Sequence, residues 1–365
     1  MKFVFASYVF TKEFNNPEQW LKRIDLYAGI QSALSTNNEI VSIEQIDYEG
    51  NCVQDGVQYQ FIRLSKFERI VPLKLHRYIL SQKPDVVVIQ GLHFPLQVIQ
   101  FGILNRGKVK IIAQHHAEKP FSGIKKYVQR VADGFVDAYL FASKPMGLEW
   151  VNKGNLSSAQ KIYEVMEVST HFHPINKELA RLKTGVSGDS VFLWVGRLND
   201  NKDPLNVVKA FLRFAAVSPR ANLYMIYQTD ELLNEIRRLM NASHYGDKII
   251  LVGKVFHDDL HYWFNSADFL ISGSHYEGSG TAVCEAMACG CVPVVTNIDS
   301  FKMITDNGRC GLLYEVGNEN ALLNALLKTE ASNIEEKRKN CLEYFKSNLS
   351  FEAIANRIQE IATGL

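Results

Sequence analysis

Short apolar runs recur along this chain at the length of buried strands, and segments with helical spacing of their apolar positions separate them. The runs at 2–7, 85–90, 109–114, 138–142, 191–195, 222–226, 249–252, 269–272 and 292–296 are continuous rather than alternating. Between them, 68–81, 124–133, 204–216, 232–241 and 319–327 place apolar residues on one helical face. Continuous β-branched strands alternating with amphipathic helices predict parallel sheets covered on both faces. The pattern occurs twice, and the polar stretch 176–190, with Gly185, Ser187 and Gly188, reads as a linker. The expected fold class is α/β, with two Rossmann-like doubly wound domains facing a central cleft lined by strand C-terminal ends and helix N-termini. The expected boundaries are 1–180 and 181–349, with a helix at about 350–365 packing back on the first domain.

At 365 residues, 47% hydrophobic and 22% charged, the chain has the composition of a globular protein of two domains. Net charge is +1 and carries no information about partners, but its distribution does. Between residues 61 and 130, thirteen Lys/Arg stand against three acids, Glu68, Asp85 and Glu118. Such a region suits an anionic membrane surface, a phosphate-bearing substrate or a nucleic acid, and equally a solvated face that balances acids elsewhere. No apolar run reaches the roughly eighteen residues of a membrane span. Met1-Lys2-Phe3-Val4-Phe5-Ala6 reads as a first strand, not as a secretory leader. The six cysteines do not pair by spacing; Cys284, Cys289 and Cys291 lie in an apolar stretch and are expected to be small, reduced core residues. A cytoplasmic, reducing compartment follows from that expectation.

Three places carry candidate chemistry. After the 191–195 run comes Gly196-Arg197-Leu198, then Lys202-Asp203-Pro204. A strand ends, a glycine permits close backbone approach, and two cations precede a proline suited to open a helix. Arg197 can grip phosphate as a fork and Lys202 as a point charge, although two solvated loop cations would read the same. Next, Gly253-Lys254-Val255-Phe256 follows the 249–252 run, where the backbone suits recognition of a flat base or forms a simple turn. The most informative stretch is His275-Tyr276-Glu277-Gly278-Ser279-Gly280-Thr281-Ala282-Val283-Cys284-Glu285-Ala286-Met287-Ala288-Cys289-Gly290. Glu277 sits in a Gly/Ser loop and Glu285 about one turn into a helix, with free backbone N–H groups between them. Helix N-termini attract anions, so this layout suits a ligand with hydroxyls at both ends and phosphate in the middle, such as a nucleotide-sugar. Glu285, set among Ala282, Val283, Ala286 and Met287, is costly unless it bonds something. A ribose diol would satisfy both its oxygens; a capping or salt-bridged glutamate is the alternative.

In this order the pieces resemble the family 4 retaining glycosyltransferases (glycosyl transferases group 1) of the GT-B fold. Ser266-Ala267-Asp268 and Gly308…Gly311-Leu312-Leu313-Tyr314 join them, and the likeness covers about 191–327. The resemblance implies metal-independent transfer of a hexose from a UDP- or GDP-linked donor, with retention, to a glycan or lipid-linked acceptor. It places such an enzyme in cell-surface polysaccharide synthesis, lipopolysaccharide or capsule, in the cytoplasm with peripheral contact on an anionic membrane. It implies that Gly196, Arg197 and Lys202 hold the diphosphate and Glu285 the ribose. Glu277 with the amides of Gly278, Ser279, Gly280 and Thr281 would hold the sugar, and the Val255–Phe256 backbone the base. In the looser N-terminal half, Ile111-Ile112-Ala113-Gln114-His115-His116 ends a strand in two histidines. The family often has a histidine facing the donor sugar there, and the register gives His116, with His115 as the alternative. His116 and Glu277 would orient the sugar during front-face attack guided by the leaving phosphate. The loop 8–17 lacks the glycines usual in the family. No cofactor or metal is expected: the chain has no Asp-x-Asp, and the adjacent Asp258-Asp259 reads as a turn. No nucleic-acid partner is expected. Competing readings are a GT-B-like epimerase, a sugar phosphorylase, or a non-catalytic binding protein of the same fold. A nicotinamide oxidoreductase is disfavoured because no G-x-G-x-x-G follows the first strand.

Overall fold

Each of the nine apolar runs becomes a strand, and in residues 1–331 and 333–365, which this computed structural model describes, the strands gather into two sheets. The first contains β1 (Lys2–Ser7), β2 (Glu39–Glu44), β3 (Gly50–Gln54), β4 (Val57–Phe61), β5 (Val86–Gln90), β6 (Lys110–Gln114), β7 (Ala138–Phe141) and β8 (Ile162–Glu164). Their order is β3-β4-β2-β1-β5-β6-β7-β8, parallel throughout except for the β3–β4 hairpin. That hairpin turns at Asp55-Gly56, both with positive φ (49° and 80°), the conformation its tight connection requires. The second sheet contains β9 (Ser190–Gly196), β10 (Ala221–Tyr227), β11 (Ile249–Gly253), β12 (Phe269–Ser272), β13 (Val292–Thr296) and β14 (Leu312–Tyr314). Its order is β11-β10-β9-β12-β13-β14, all parallel.

The chain divides into two units, Met1–Ser169 with Ser350–Leu365, and Thr170–Leu349. In each sheet the strand order reverses once. In the second, β10 and β11 lie on one side of β9 and β12 to β14 on the other. Connections leaving β9 and β12 therefore diverge and open a crevice at those strand ends, where ligands of open α/β sheets bind. In the first sheet the same argument points to the ends of β1 and β5. The second core is aromatic: Phe192 stacks on Phe269 at 5.0 Å and meets Phe211 and Phe214 edge-on. Burying each such ring is worth about 1.5–3 kcal/mol.

Three expectations are corrected. The helix expected over 68–81 is two, Lys66–Ile70 and Leu73–Ser81. Pro72 lacks a backbone donor and disfavours helix in the residue before it, so the chain breaks there. The stretch 176–190, read as a linker, contains the helix Lys177–Thr184, capped by Asn176, which accepts from the Leu179 amide, and by left-handed Gly185. It buries only Ala180 and packs on the helix His257–Ser266, so little of it reads as apolar. The division between units falls earlier, after Ser169. Asp258 and Asp259 are not a turn but the first turn of His257–Ser266, where acids complement the helix dipole.

The helix Phe351–Gly364 belongs to the first unit and packs on the helix Asp25–Ser35. A side chain at Gly29 would place its Cβ 2.5 Å from the Phe351 ring, so glycine is what admits that ring.

Candidate functional site

In the second unit, the segment after β9 and the segment after β12 are laced together. Asn199 accepts from the Lys202 amide at 3.1 Å, which closes a short turn, and Asp203 follows in the left-handed region. Asn201 donates to the Tyr276 carbonyl at 3.0 Å and its own carbonyl accepts from the His275 amide at 2.8 Å. Gly273 is tight for the same reason: a Cβ there would lie 3.1 Å from the Lys202 carbonyl. This lacing brings the Lys202 ammonium onto the Glu277 carboxylate in a direct ion pair. Arg197, next to Gly196 at the end of β9, is exposed and makes no ion pair among the described residues. Gly278 and Ser279 lead into Gly280, which caps the helix Thr281–Ala288 with φ 63°. Gly280 has no side chain to bond the helix's first amides, and the helix has no side-chain cap. A Cβ at this position would also strike the Phe301 ring at 2.7 Å. The result is a helix start without a side-chain cap, and the Lys202–Glu277 ion pair stands in the loop that leads into it.

Glu285 lies one turn along that helix and is buried. Its Oε1 is 2.5 Å from the His257 Nε2. Burial pushes its pKa up, and the His257 bond only partly offsets this. His257 opens its helix directly after Val255 and Phe256, and its ring stacks on Phe172 at 5.3 Å. Val255 itself lines a cavity of about 280 Å³ with Lys183, Thr184, Phe256, Tyr262 and Trp263. His257 thus ties the Val255–Phe256 loop to Glu285. No sequence signal singled out His257, because 28 residues separate it from Glu285.

The remaining candidate, His116, stands in the first unit after β6. The two histidines differ sharply. His115 is buried, stacks on Phe141 at 4.5 Å and bonds the Glu118 carbonyl, and burial lowers its pKa. His116 lines a cavity of about 320 Å³ with Trp20, Tyr27, Gln31, Glu44 and Gln90. Its ring nitrogens meet the Glu167 carboxylate and, at 2.8 Å, the Gln90 Oε1. Burial disfavours its cation, but the Glu167 bond, with the charges of Glu167 and Glu118, outweighs that and raises its pKa. A folded pKa above the unfolded value means that this stabilisation is complete below about pH 6.5 and lost as pH rises through the folded value. His116→Gln should therefore cost more stability at about pH 6 than at about pH 9, read as the gap in urea midpoint from wild type. An equal gap at both pH values would remove the imidazolium from this account. Glu167 and Gln90, 51 and 26 residues away, were not legible as partners of His116, since the fold alone joins them; Glu118, two residues on, accepts from the His116 amide.

Residues 176–348 match the family described as glycosyl transferases group 1. That match spans nearly the whole of the second unit, Thr170–Leu349. Part of the chain is similar to the Campylobacter jejuni N-acetylgalactosamine-N,N'-diacetylbacillosaminyl-diphospho-undecaprenol 4-alpha-N-acetylgalactosaminyltransferase. That similarity is 26% identity over 140 residues, 38% of this chain and 36% of that one. The chain spans about a third of the length of the curated relatives it matches. In fold it is similar to a glycosyltransferase from Rickettsia africae, with a TM-score of 0.74 at 15% identity over 100% of this chain and 97% of that one. It is also similar to Anabaena HepE, solved in complex with UDP and glucose, with a TM-score of 0.70 at 13% identity over 100% of both chains. The two parallel-sheet units are those of the GT-B fold. In the second unit, the structure brings together Gly196, Arg197, Lys202, Glu277, Gly278, Ser279, Gly280, Thr281 and Glu285 around two adjacent strand ends and one helix start. Val255 joins them through His257.

Proposed function

We propose that this protein transfers a hexose from a UDP- or GDP-sugar, with retention of configuration and without a metal ion, to a glycan or lipid-linked acceptor. The observation that carries this is the uncapped start of the helix Thr281–Ala288, flanked by the Lys202–Glu277 pair and buried Glu285. Arg197, Lys202 and the helix amides stabilise the charge that develops on the departing diphosphate, each fixed donor contributing about 3–4 kcal/mol in comparable sites. Two side-chain cations and a helix dipole can do what a divalent ion does elsewhere, and the chain carries no Asp-x-Asp to hold one. Glu285 holds the ribose diol, in competition with His257. Glu277 orients the sugar, and the attacking hydroxyl approaches from the leaving-group side. The Campylobacter relative is named for a diphospho-undecaprenol-linked substrate. A lipid-linked acceptor, used in polysaccharide synthesis at the cytoplasmic face of a membrane, is the matching reading for this chain.

A thermal-shift series with UDP, GDP, ADP and UDP-glucose tests the donor. A ligand at a hundred times its Kd adds about 2.7 kcal/mol. For a chain of 365 residues that is a rise of about 3–4 °C in Tm. A flat response to all nucleotides would remove the proposal.

A further inference from the structure

The basic segment of the first unit has a second property that composition does not show. Of the seventeen large hydrophobic residues exposed on the described chain, eight lie between residues 67 and 131. They fall on three neighbouring segments. Phe67 and Ile70 belong to the helix Lys66–Ile70, and Leu73 starts the next. Leu96 and Ile103 belong to the helix Pro95–Asn105, whose Gln97 and Gln100 donate to the Arg69 and Ile70 carbonyls at 3.0 and 3.2 Å. That helix packs in turn on the helix Gly123–Ala132. There Ile124, Tyr127 and Val131 are 83%, 69% and 56% exposed. Their spacing puts them on one stripe, opposite the buried Gln129 and Ala132.

Isolated exposed apolar residues are ordinary, but a cluster of this kind marks a surface that meets something. Charge decides what. Lys66, Arg106, Lys108, Lys119, Lys125 and Arg130 are exposed on these same segments or the loops that join them. The segment's own acids do not offset them. Glu118 is buried and bonded to the Leu92 and His116 amides, Glu68 is used in a capping box, and Asp85 accepts from the Lys2 amide. Arg63, Lys74, Lys110 and Arg130 pair with Asp47, Glu49, Asp137 and Asp133, and the cations outnumber the acids even so. Isoleucine, phenylalanine and tyrosine rimmed by lysine and arginine fit a layer that is apolar beneath and anionic above. No helix among the described residues is long and apolar enough to cross a membrane.

We infer that this face seats the first unit on an anionic phospholipid surface, with the stripe Ile124–Tyr127–Val131 entering the headgroup layer and the flanking cations meeting the phosphates. This locates the membrane contact that the proposed acceptor calls for, but it stands on its own observations. The test is sedimentation of the full chain with phosphatidylcholine vesicles, and with vesicles of equal phosphatidylcholine and phosphatidylglycerol. Wild type should pellet with the mixed vesicles, weakly with phosphatidylcholine alone, and less as salt is raised. Ile124→Glu/Tyr127→Glu should lower the apparent affinity at least about tenfold. Lys125→Glu/Lys126→Glu should lower it at low salt and converge on wild type at high salt. Both variants alter exposed or half-exposed positions, so Tm and the nucleotide-induced shift should match wild type. Equal pelleting of wild type and Ile124→Glu/Tyr127→Glu, or equal binding to both vesicle types, overturns the inference. So does a lipid-free dimer that Ile124→Glu/Tyr127→Glu abolishes, because the stripe would then seat a second copy. Vesicle binding without any nucleotide shift would sink the transferase reading and leave this one standing.

Discussion

Glu285→Ala should slow transfer and donor hydrolysis by about 10²–10³-fold while melting no lower than wild type. The first half follows from position. Glu285 is the buried carboxylate of the helix whose start receives the diphosphate, and a ribose diol needs both its oxygens. The second half follows from its pKa. A carboxyl whose pKa is raised in the folded state favours folding least when ionised. Its cost is absent below the unfolded value and complete above the folded one. Removing it therefore leaves stability unchanged in acid and improves it near neutrality, reduced by the lost His257 bond. Glu285→Gln separates the two effects: it keeps shape and one acceptor, removes the charge, and should retain more activity than alanine. Near wild-type turnover in Glu285→Ala, in a protein of unchanged Tm, would end the ribose assignment.

The second large effect concerns the cations. Arg197→Ala should raise the Kd for free UDP or GDP by about 10–100-fold, the weight of one hydrogen bond between charged groups. Lys202→Ala should do more, because it removes a cation and leaves Glu277 as an unpaired anion facing the phosphates. The two members of that pair should also be coupled. Lys202→Ala/Glu277→Gln should bind nucleotide better than the sum of the single losses, since neutralising Glu277 relieves the repulsion that Lys202→Ala exposes. Arg197, which has no such partner among the described residues, should be additive with Glu277→Gln. Calorimetry on the four proteins of each cycle reads this directly. An unchanged Kd in Arg197→Ala places that residue outside the site, and strict additivity of Lys202 with Glu277 means that their pair does not face the ligand.

What was legible in the sequence was what periodicity and local spacing control. Continuous apolar runs located nine strands, because a strand buried on both faces has no polar alternative. Five strands escaped: β3 is largely exposed, β8 and β14 have three residues each, and β2 and β4 carry polar residues among their apolar ones, Ser42 and Glu44 in β2 and Gln58 and Gln60 in β4. The Asp55-Gly56 turn between β3 and β4 was a readable hairpin signal that the polar flanks obscured. The helix Lys177–Thr184 passed for a linker because it buries one alanine, though Asn176 and Gly185 mark its two ends. In the site, Gly280 and the two glutamates were readable since they are close in sequence. Their partners were not. His257 on Glu285, Lys202 on Glu277 and Glu167 on His116 are brought together by sheet order, over 28, 75 and 51 residues. The choice between His115 and His116 likewise needed the fold, which turns the first into the core beside Phe141.

The helix Phe351–Gly364, seated against Gly29, has a consequence for how the protein is made. Residues 1–169 leave the ribosome before 351–364 do, and their unit is missing one of its own walls until that helix emerges. The Thr170–Leu349 half, contiguous in sequence, has all its parts earlier. A premature stop near residue 350 would thus injure the portion synthesised first and spare the portion beside it. Limited proteolysis of such a truncated chain should clip the early half while the later one survives intact.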